Sequence, residues 1–400
     1  MATFLPSQRY HFPKTSHGEK EEDDHNYLQT LTSQLCGIYE GQENKEDEHQ
    51  GSVFPPSEQC HLSETNIENE DEDEDYRKTI ENYEEIVKTL PKGKGWMTDH
   101  LVHYKGFWLT PFGALKGLML IREHFKAKPG DIFLTTFPKS GTTWLKALIF
   151  ATVNRTRYDF STHPLLKNCP HDCFPFLDAY INENQPISNL DTLPSPRLFA
   201  THIPYPLLPT SMIYSGSCFV YICRNPKDVL VSKWVFMNKL RPKELPPLSL
   251  EEAFELFCEG ISHYGPYWEH VLGFWKASLE YPDKILFLRY EEMKKEPLVY
   301  LKRLAEFFGQ PFSPEEESEG VIHEIIRLCS FENLSSLEVN KTKVKRFNNQ
   351  LVIENRDFFR KGKVGDWQNH LTSEMIERLD QITEEKLHGT GLTFNLSEHY

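Results

Sequence analysis

Short apolar runs alternate with helical stretches along most of this 400-residue chain. Each run has the length of one strand, is rich in β-branched and aromatic residues, and ends in polar residues. The runs are DIFLTTF (131–137), RLFATHIP (197–204), SCFVYICR (217–224) and KILFLRY (284–290). The third is almost continuously apolar, as expected of a strand buried on both faces. This alternation predicts an α/β fold whose central parallel β-sheet is flanked by helices on both faces.

The acidic side chains are concentrated at one end of the chain. Residues 1–80 hold 19 acidic and 6 basic side chains, whereas the other 320 residues hold 40 acidic and 38 basic. A polar, aperiodic composition buries too little apolar surface to offset the entropy of ordering. We therefore predict an acidic, disordered tail over residues 1–78 and a single globular domain over residues 79–400. A docking segment for a basic partner is the alternative for the tail.

The composition also bears on partners and compartment. The nearly neutral remainder of the chain argues against a nucleic-acid partner. No apolar run approaches the roughly 18 residues of a membrane helix, and the N-terminus lacks the apolar core of a signal peptide, so we predict no membrane partner and a cytosolic location. The eight cysteines are expected to be buried free thiols of a reducing compartment. The stretch CPHDC (169–173) matches no common zinc spacing, and we interpret it as a proline-bent loop.

Residues 135–144, TTFPKSGTTW, look like a rearranged phosphate-binding loop. In the pattern G-x-x-x-x-G-K-[ST] the first glycine is missing here, and Gly141 keeps the second. Thr142 stands at the lysine position and Thr143 at the hydroxyl position, while Lys139 lies inside the loop instead. The question is which phosphate-like group needs its cation there.

A strand that turns through such a loop into a helix directs backbone N–H groups at an anion. Gly141 permits close approach of the ligand, and hydroxyls such as that of Ser140 add neutral donors. A Walker loop places its lysine for a phosphate that chelates magnesium. That lysine is missing here, and no partner aspartate ends an apolar strand. The sequence therefore predicts a P-loop-like sheet that binds a phosphate without a metal.

Polar residues follow all four apolar runs: Lys139, His202, Arg224 and Tyr290. In open α/β sheets, ligands bind beyond the carboxyl ends of the strands. We therefore expect these four side chains to surround one site.

Three separated motifs now carry a family resemblance. PKSGTTW (138–144) resembles the 5′-phosphosulfate loop of the cytosolic sulfotransferases, YICRNPKDVLVSKW (221–234) their 3′-phosphate segment, and FRKGKVGDW (359–367) their C-terminal signature. The motif GFW (106–108) is similar to plant members. The resemblance runs collinearly from about residue 80 to the end. It implies transfer of a sulfuryl group from 3′-phosphoadenosine-5′-phosphosulfate (PAPS) to a small hydroxylated acceptor, with release of adenosine 3′,5′-bisphosphate.

The resemblance also implies the residues that bind PAPS. They are Lys139, Ser140, Gly141, Thr142, Thr143, Trp144, Arg224, Ser232, Tyr290, Phe331, Arg360, Lys361 and Gly362. Arg224 and Ser232 would hold the 3′-phosphate together with the Arg-Lys-Gly turn. Trp144 and Phe331 would sandwich adenine, and Tyr290 would reach a ring nitrogen. Any one of these aromatic residues, taken singly, could equally be core packing.

His202 matches the family's general base, and Lys139 would neutralise charge on the bridging oxygen as the nucleotide leaves. No metal is implied. Many animal members carry lysine two residues before the base, where this chain has Ala200, so we expect a second active-site cation to be absent. The family's animal dimer motif is only half matched, and we predict a monomer or a weak dimer.

The acceptor pocket is expected to be apolar, with Phe107, Trp108 and Phe359 as candidates. A flavonoid, a hydroxyjasmonate or a similar plant metabolite would be the acceptor. The alternative function is a non-catalytic module that binds PAPS or a related nucleotide. A P-loop kinase is a third hypothesis, which the displaced lysine disfavours.

Overall fold

The computed structural model describes residues 66–181, 187–347 and 351–394. The nine strands within these ranges, in chain order, are β1 (Lys92–Lys94), β2 (His100–Tyr104), β3 (Phe107–Leu109), β4 (Ile132–Thr136), β5 (Leu198–Thr201), β6 (Cys218–Cys223), β7 (Ile285–Arg289), β8 (Val344–Arg346) and β9 (Val352–Glu354).

The α-helices of the same ranges are α1 (Asn66–Thr89), α2 (Lys116–His124), α3 (Thr142–Val153), α4 (Pro170–Cys173), α5 (Leu177–Tyr180), α6 (Thr210–Ile213), α7 (Pro226–Leu240), α8 (Leu250–Cys258), α9 (Tyr267–Glu280), α10 (Tyr290–Lys295), α11 (Pro297–Phe307), α12 (Pro314–Ser318), α13 (Val321–Leu328), α14 (Phe331–Ser336), α15 (Glu338–Thr342) and α16 (Ser373–Leu387). A π-helical turn, Pro111–Leu115, precedes α2. None of the helices described in these ranges is long and apolar enough to span a membrane.

The central sheet has the strand order β5-β4-β6-β7, and every neighbouring pair is parallel. Alternate residues of each strand point to opposite faces of a sheet. Phe133 and Phe219 accordingly lie in one hydrophobic core with α2, α7, α9 and α16, while Leu134 and Val220 lie in the other with α3, α11 and α13. The predicted α/β fold, with helices on both faces of a parallel sheet, is confirmed.

Local signals position the helix that follows β6. The side chain of Asn225 accepts a hydrogen bond from the amide of Lys227, and Pro226 occupies the first helical position. Both residues favour a helix start, because the cap satisfies a free amide and proline has no amide to satisfy. Helix α7 therefore begins directly at the carboxyl end of the central strand.

Helix α1 crosses the predicted boundary between tail and domain at residue 78. Its apolar side chains recur every three to four residues, and Tyr76, Ile80 and Tyr83 pack against the core. The Tyr83 hydroxyl donates to the carbonyl of Pro111 at 2.9 Å. This stripe packs the C-terminal part of the helix against the core, and the helix itself begins at Asn66, within the segment predicted as a tail. The rest of the predicted tail, residues 1–65, lies outside the described residues.

The four parallel strands end at the same edge of the sheet, because the register pairs Thr136 of β4 with Ile222 of β6, and Cys223 of β6 with Arg289 of β7. The segments that leave β4, β5, β6 and β7 therefore start side by side. This edge carries the residues expected to form the site.

Candidate active site

The loop between β4 and α3 has an unusual backbone. Lys139 and Gly141 both have left-handed φ angles, +74° and +108°. Such a conformation is strained for lysine, and strained non-glycine residues cluster at ligand sites. The amide of Ser140 donates to the carbonyl of Phe137, and the carbonyl of Gly141 accepts the first helical bond, from Leu145. The loop thus curls tightly into the amino end of α3.

Two side chains of this loop have unusual surroundings, because one is buried without a hydrogen-bond partner and the other lies over an aromatic ring. Ser140 is fully buried, and its Oγ has no hydrogen-bond partner among the described residues. A buried hydroxyl without a partner is costly, so this atom is poised for an oxygen that a ligand would bring. The ammonium of Lys139 lies 3.7 Å from the centre of the Phe236 ring. Burial, followed by the charges of Arg360 and Arg224, lowers the pKa of Lys139 to about 7.

At two glycines the backbone lies directly against an aromatic ring. A Cβ added at Gly141 would lie 2.7 Å from Cδ2 of Tyr290, and one at Gly362 would lie 2.5 Å from Cδ2 of Phe331. Trp144 meets Tyr290 edge to face, with ring centroids 5.7 Å apart. The structure thus brings Trp144 and Tyr290 together beside the loop, and it places Phe331 against the C-terminal turn.

Arg224 joins these segments at the end of β6. It is 7% exposed, and its guanidinium lies 4.5 Å from the centre of the Tyr290 ring. Nη2 donates to the carbonyl of Lys363 at 2.8 Å and pairs with Asp228 at 3.2 Å, whereas Nε has no partner among the described atoms. Ser232 is buried on the same helix, α7.

The C-terminal signature is tied to the amino end of α7 through Asp228, which accepts the amide protons of Gly365 at 2.8 Å and Trp367 at 3.3 Å. Arg360 and Lys361 both pair with Asp366. The two cations predicted to close over a 3′-phosphate are therefore held on a carboxylate at the edge of the site. Arg360 lies close enough to Lys139 for its charge to lower the pKa of that lysine.

The hydrogen bonds of His202 determine its tautomer. Nδ1 lies 2.7 Å from the carbonyl oxygen of Thr136, which can only accept, so the ring proton is on Nδ1. Nε2 therefore carries the lone pair. The carbonyl of His202 in turn accepts from Nε2 of His270, whose Nδ1 accepts from the hydroxyl of Tyr221. Burial lowers the pKa of His202 to about 3, which keeps the imidazole neutral.

Aromatic residues that the sequence analysis did not select surround His202. The rings of Phe176 and Tyr264 lie 4.7 and 5.3 Å from the imidazole, centre to centre. The hydroxyl of Tyr264 donates to buried Asp178 at 2.5 Å. Phe347 lies 6.0 Å from Phe176 and extends this wall. These residues come from separate loops, and only the folded chain brings them to His202.

The contacts described for the three predicted acceptor residues are with parts of the protein other than the His202 ring. Phe107 is buried in the core beside β2. The Trp108 ring packs on His103, while its backbone pairs with residues 264 and 265 and so supports the Tyr264 wall. Phe359 contacts Phe331, one of the rings predicted to bind adenine. Their role as acceptor contacts stays a prediction.

Another cluster missed by the sequence analysis lies beside the loop. Nε2 of His171 is 3.0 Å from Oγ1 of Thr143, and Nδ1 is 3.1 Å from Nζ of the fully buried Lys146. After burial, the charge of Lys146 is the largest contribution that lowers the pKa of His202. A second lysine side chain is therefore near His202, although Ala200 cannot supply one. The apolar sequence WLKALIF around Lys146 was the available signal, because it places a lysine on a buried helix.

The segment CPHDC forms the short helix α4, with Pro170 at its first position, so the prediction of a loop was wrong. Four of the six cysteines in the described ranges are buried, and all six are free. The same ranges contain no group of three or more His, Cys, Asp or Glu side chains that could hold a metal ion.

Comparisons with protein families, with known sequences and with solved structures all match sulfotransferases. A family model described as "Sulfotransferase domain" matches residues 129–391. The chain is similar to cytosolic sulfotransferase 17 of Arabidopsis thaliana, with 49% identity over 321 residues that cover 79% of this chain and 91% of the relative. It is 50% identical to flavonol 3-sulfotransferase of Flaveria bidentis over 77% of this chain and 99% of the relative. A solved mouse sulfotransferase complexed with PAP is 28% identical, with a TM-score of 0.55 over 73% of this chain and 96% of that one.

Proposed function

We propose that this chain, which belongs to the sulfotransferase family, transfers a sulfuryl group to a hydroxyl of a small plant metabolite. The transfer is an in-line displacement in which His202 is the general base. Family membership makes the chain a PAPS-dependent sulfotransferase. The observation that carries the proposal is the neutral His202, whose Nε2 lone pair is free of the Thr136 bond and whose strand ends beside the phosphate loop.

The described residues fit PAPS at both of its ends. The buried Ser140 hydroxyl and the Nε of Arg224 lack partners of their own, and each lies in a segment that would hold one phosphate. At Gly141 and Gly362 a side chain would collide with an aromatic ring, so the backbone and the rings already form a narrow cradle. We assign the 5′ end to residues 139–143 and the 3′-phosphate to Arg224, Ser232 and the turn 360–362.

PAPS, when bound, supplies a sulfuryl group activated by its anhydride bond to phosphate. His202 accepts the proton of the acceptor hydroxyl at Nε2, and the Thr136 carbonyl keeps the other nitrogen protonated and the ring in place. Lys139 stabilises the charge that develops on the leaving phosphate oxygen. The nearby arginines that lower its pKa leave Lys139 with a strong preference for an anion beside it.

The acceptor would lie against the aromatic residues around His202. Rings such as Phe176 and Tyr264 suit a flat or apolar metabolite with a hydroxyl directed at Nε2. The similarity to a flavonol 3-sulfotransferase supports a flavonoid acceptor, and a hydroxyjasmonate is the other candidate. Relatives named as cytosolic sulfotransferases support a cytosolic location.

An acceptor screen with ³⁵S-labelled PAPS tests the proposal. We expect label transfer to at least one flavonol or hydroxyjasmonate, with PAPS consumption that requires the acceptor. If no hydroxylated metabolite is labelled although adenosine 3′,5′-bisphosphate binds tightly, the alternative of a non-catalytic nucleotide-binding module is favoured. Magnesium-dependent consumption of ATP would instead favour a P-loop kinase.

A further inference from the structure

Lys146 is an unusual residue for the interior of helix α3. It has no exposed surface, and no carboxylate lies within ion-pair distance of its ammonium among the described residues. Its Nζ lies 3.5 Å from the centre of the Phe176 ring and 3.1 Å from Nδ1 of His171. A buried lysine without an ion pair is costly, so its retention calls for a specific role.

His171 connects this lysine to the phosphate loop. Its other nitrogen, Nε2, lies 3.0 Å from the hydroxyl of Thr143, the second residue of α3. The ring is held between Phe358, at 4.1 Å, and Phe176, with which it is stacked at 5.6 Å. Both nitrogens are engaged, so His171 is not free to act as a second base.

The direction of these hydrogen bonds follows from simple counting. An ammonium only donates, so a charged Lys146 makes Nδ1 of His171 the acceptor and leaves its proton on Nε2. Nε2 then donates to Oγ1 of Thr143. The Thr143 hydroxyl, already accepting, has its own proton available for the next acceptor. A neutral amine could accept from Nδ1–H, and the whole series would then be reversed.

We propose that Lys146 and His171 are positioning residues that direct the Thr143 hydroxyl proton toward the 5′ anionic group in the loop. The inference rests on the proposed donor site, in which residues 139–143 hold that end of the nucleotide. The anion favours the orientation in which Thr143 donates, and hence the charged form of Lys146. Neither Lys146 nor His171 touches the ligand in this arrangement.

In the absence of an anion, the surroundings of Lys146 disfavour its charged form. Burial lowers the pKa of Lys146 and of His171 well below their ordinary values, and the charge of Lys345 lowers both further. Lys345 is itself paired with Asp172 at 2.6 Å. The other titratable groups that act on this pair are Asp178, Cys169, Lys139 and His202. An anion in the loop would add to the negative charge of Asp172 and Asp178, which already favours the charged form of Lys146.

The test is a double-mutant cycle between His171 and Thr143, with binding of adenosine 3′,5′-bisphosphate measured by calorimetry. His171→Asn places an amide near Nδ1 and retains a partner for Lys146, whereas His171→Gln places one near Nε2 and retains a donor to Thr143. We expect His171→Asn to weaken binding about tenfold and His171→Gln less than threefold, because a hydrogen bond to a charged ligand is worth more than a neutral one. In the Thr143→Val background the two variants should be equal.

A ligand control separates this role from general destabilisation. Adenosine 3′-monophosphate lacks the 5′ group, and its affinity should be the same in wild type and in His171→Asn. Lys146→Met should reproduce the tenfold loss for the bisphosphate and provides the cycle if His171 variants do not fold. Lys233→Met is the matched control, because Lys233 is also fully buried but donates to the carbonyl of His263 instead. We expect it to keep wild-type affinity.

Three results would overturn the inference: additive effects of His171 and Thr143 substitutions, equal losses for both nucleotides, or an equal loss in Lys233→Met. A wild-type protein that does not bind adenosine 3′,5′-bisphosphate would instead refute the proposed donor site itself. The two failures are therefore distinguishable before any variant is made.

Discussion

The proposed donor side and the proposed acceptor side of the site are built in different ways. The donor side consists of short segments that leave neighbouring strands, and backbone geometry at Gly141 and Gly362 shapes it as much as side chains do. The acceptor side consists of single side chains from distant loops, such as Phe176, Tyr264 and Phe347, around His202. A nucleotide common to a family can be recognised by a contiguous backbone motif, whereas an acceptor that differs between members requires interchangeable side chains.

The substitution that should distinguish the two sides most strongly is at His202, the proposed base. His202→Ala should lower kcat by about a hundredfold to ten-thousandfold, because proton transfer by a positioned group contributes that much. The affinity for adenosine 3′,5′-bisphosphate should stay within twofold, since the ring faces the acceptor wall. Steady-state kinetics and calorimetry measure the two effects. Turnover near the wild-type value would show that another group accepts the proton.

Gly141→Ala should have the reverse effect. The added Cβ would lie 2.7 Å from the Tyr290 ring at a residue with φ of +108°, so the loop must move away from its position. We expect the affinity for adenosine 3′,5′-bisphosphate to fall about tenfold to a hundredfold, from strain of roughly 1–3 kcal/mol. Gly130→Ala is the control, because that glycine also has a positive φ but open space around it. Equal losses in both variants would mean that the cradle is not specific to the donor.

The pH dependence should also divide the two sides. Lys139 has a pKa of about 7, and anion binding favours its charged form, so nucleotide affinity should be full below pH 7 and fall by up to tenfold per pH unit above it. Lys139→Met should remove most of this slope. His202, with a pKa of about 3, is already neutral throughout this range and should add no slope near pH 6.5. Calorimetric titrations between pH 6 and 9 would measure the slope of nucleotide affinity against pH.

The smallest effects are expected from single hydroxyl groups. Tyr264→Phe removes the donor to buried Asp178 and should lower the free energy of unfolding by about 1–3 kcal/mol, with acceptor KM raised a few-fold and nucleotide affinity unchanged. Tyr267→Phe removes another buried hydroxyl, the one that donates to the carbonyl of Arg224, and should alter nucleotide affinity rather than acceptor KM. If the two variants changed acceptor KM and nucleotide affinity in the same way, the division into two sides would be contradicted.

The same contrast explains how much the sequence could predict. The apolar runs and the loop at 139–143 are local patterns, so β4 to β7, helix α7 and the segments around the donor site were predictable from them. Phe176, Tyr264 and His171 belong to the site through contacts with residues far away in sequence, which no local pattern encodes. Helix α1 begins at Asn66, inside the segment predicted as a tail, and its acidic side chains hid the helical signal from the sequence analysis. Lys146 was missed because a lysine within a helix is usually exposed.

The residues that precede position 129 belong to the smallest unit that can fold by itself. The family match begins at residue 129, but Phe125, which directly follows α2, packs edge-on against Phe133 and Phe199 of the central sheet. Strand β3 also supports the backbone next to Tyr264. A polypeptide trimmed to residues 129–391 would expose this apolar surface to water and lose the support for one wall of the acceptor pocket. The autonomous folding unit therefore extends well upstream of the range by which the family is recognised.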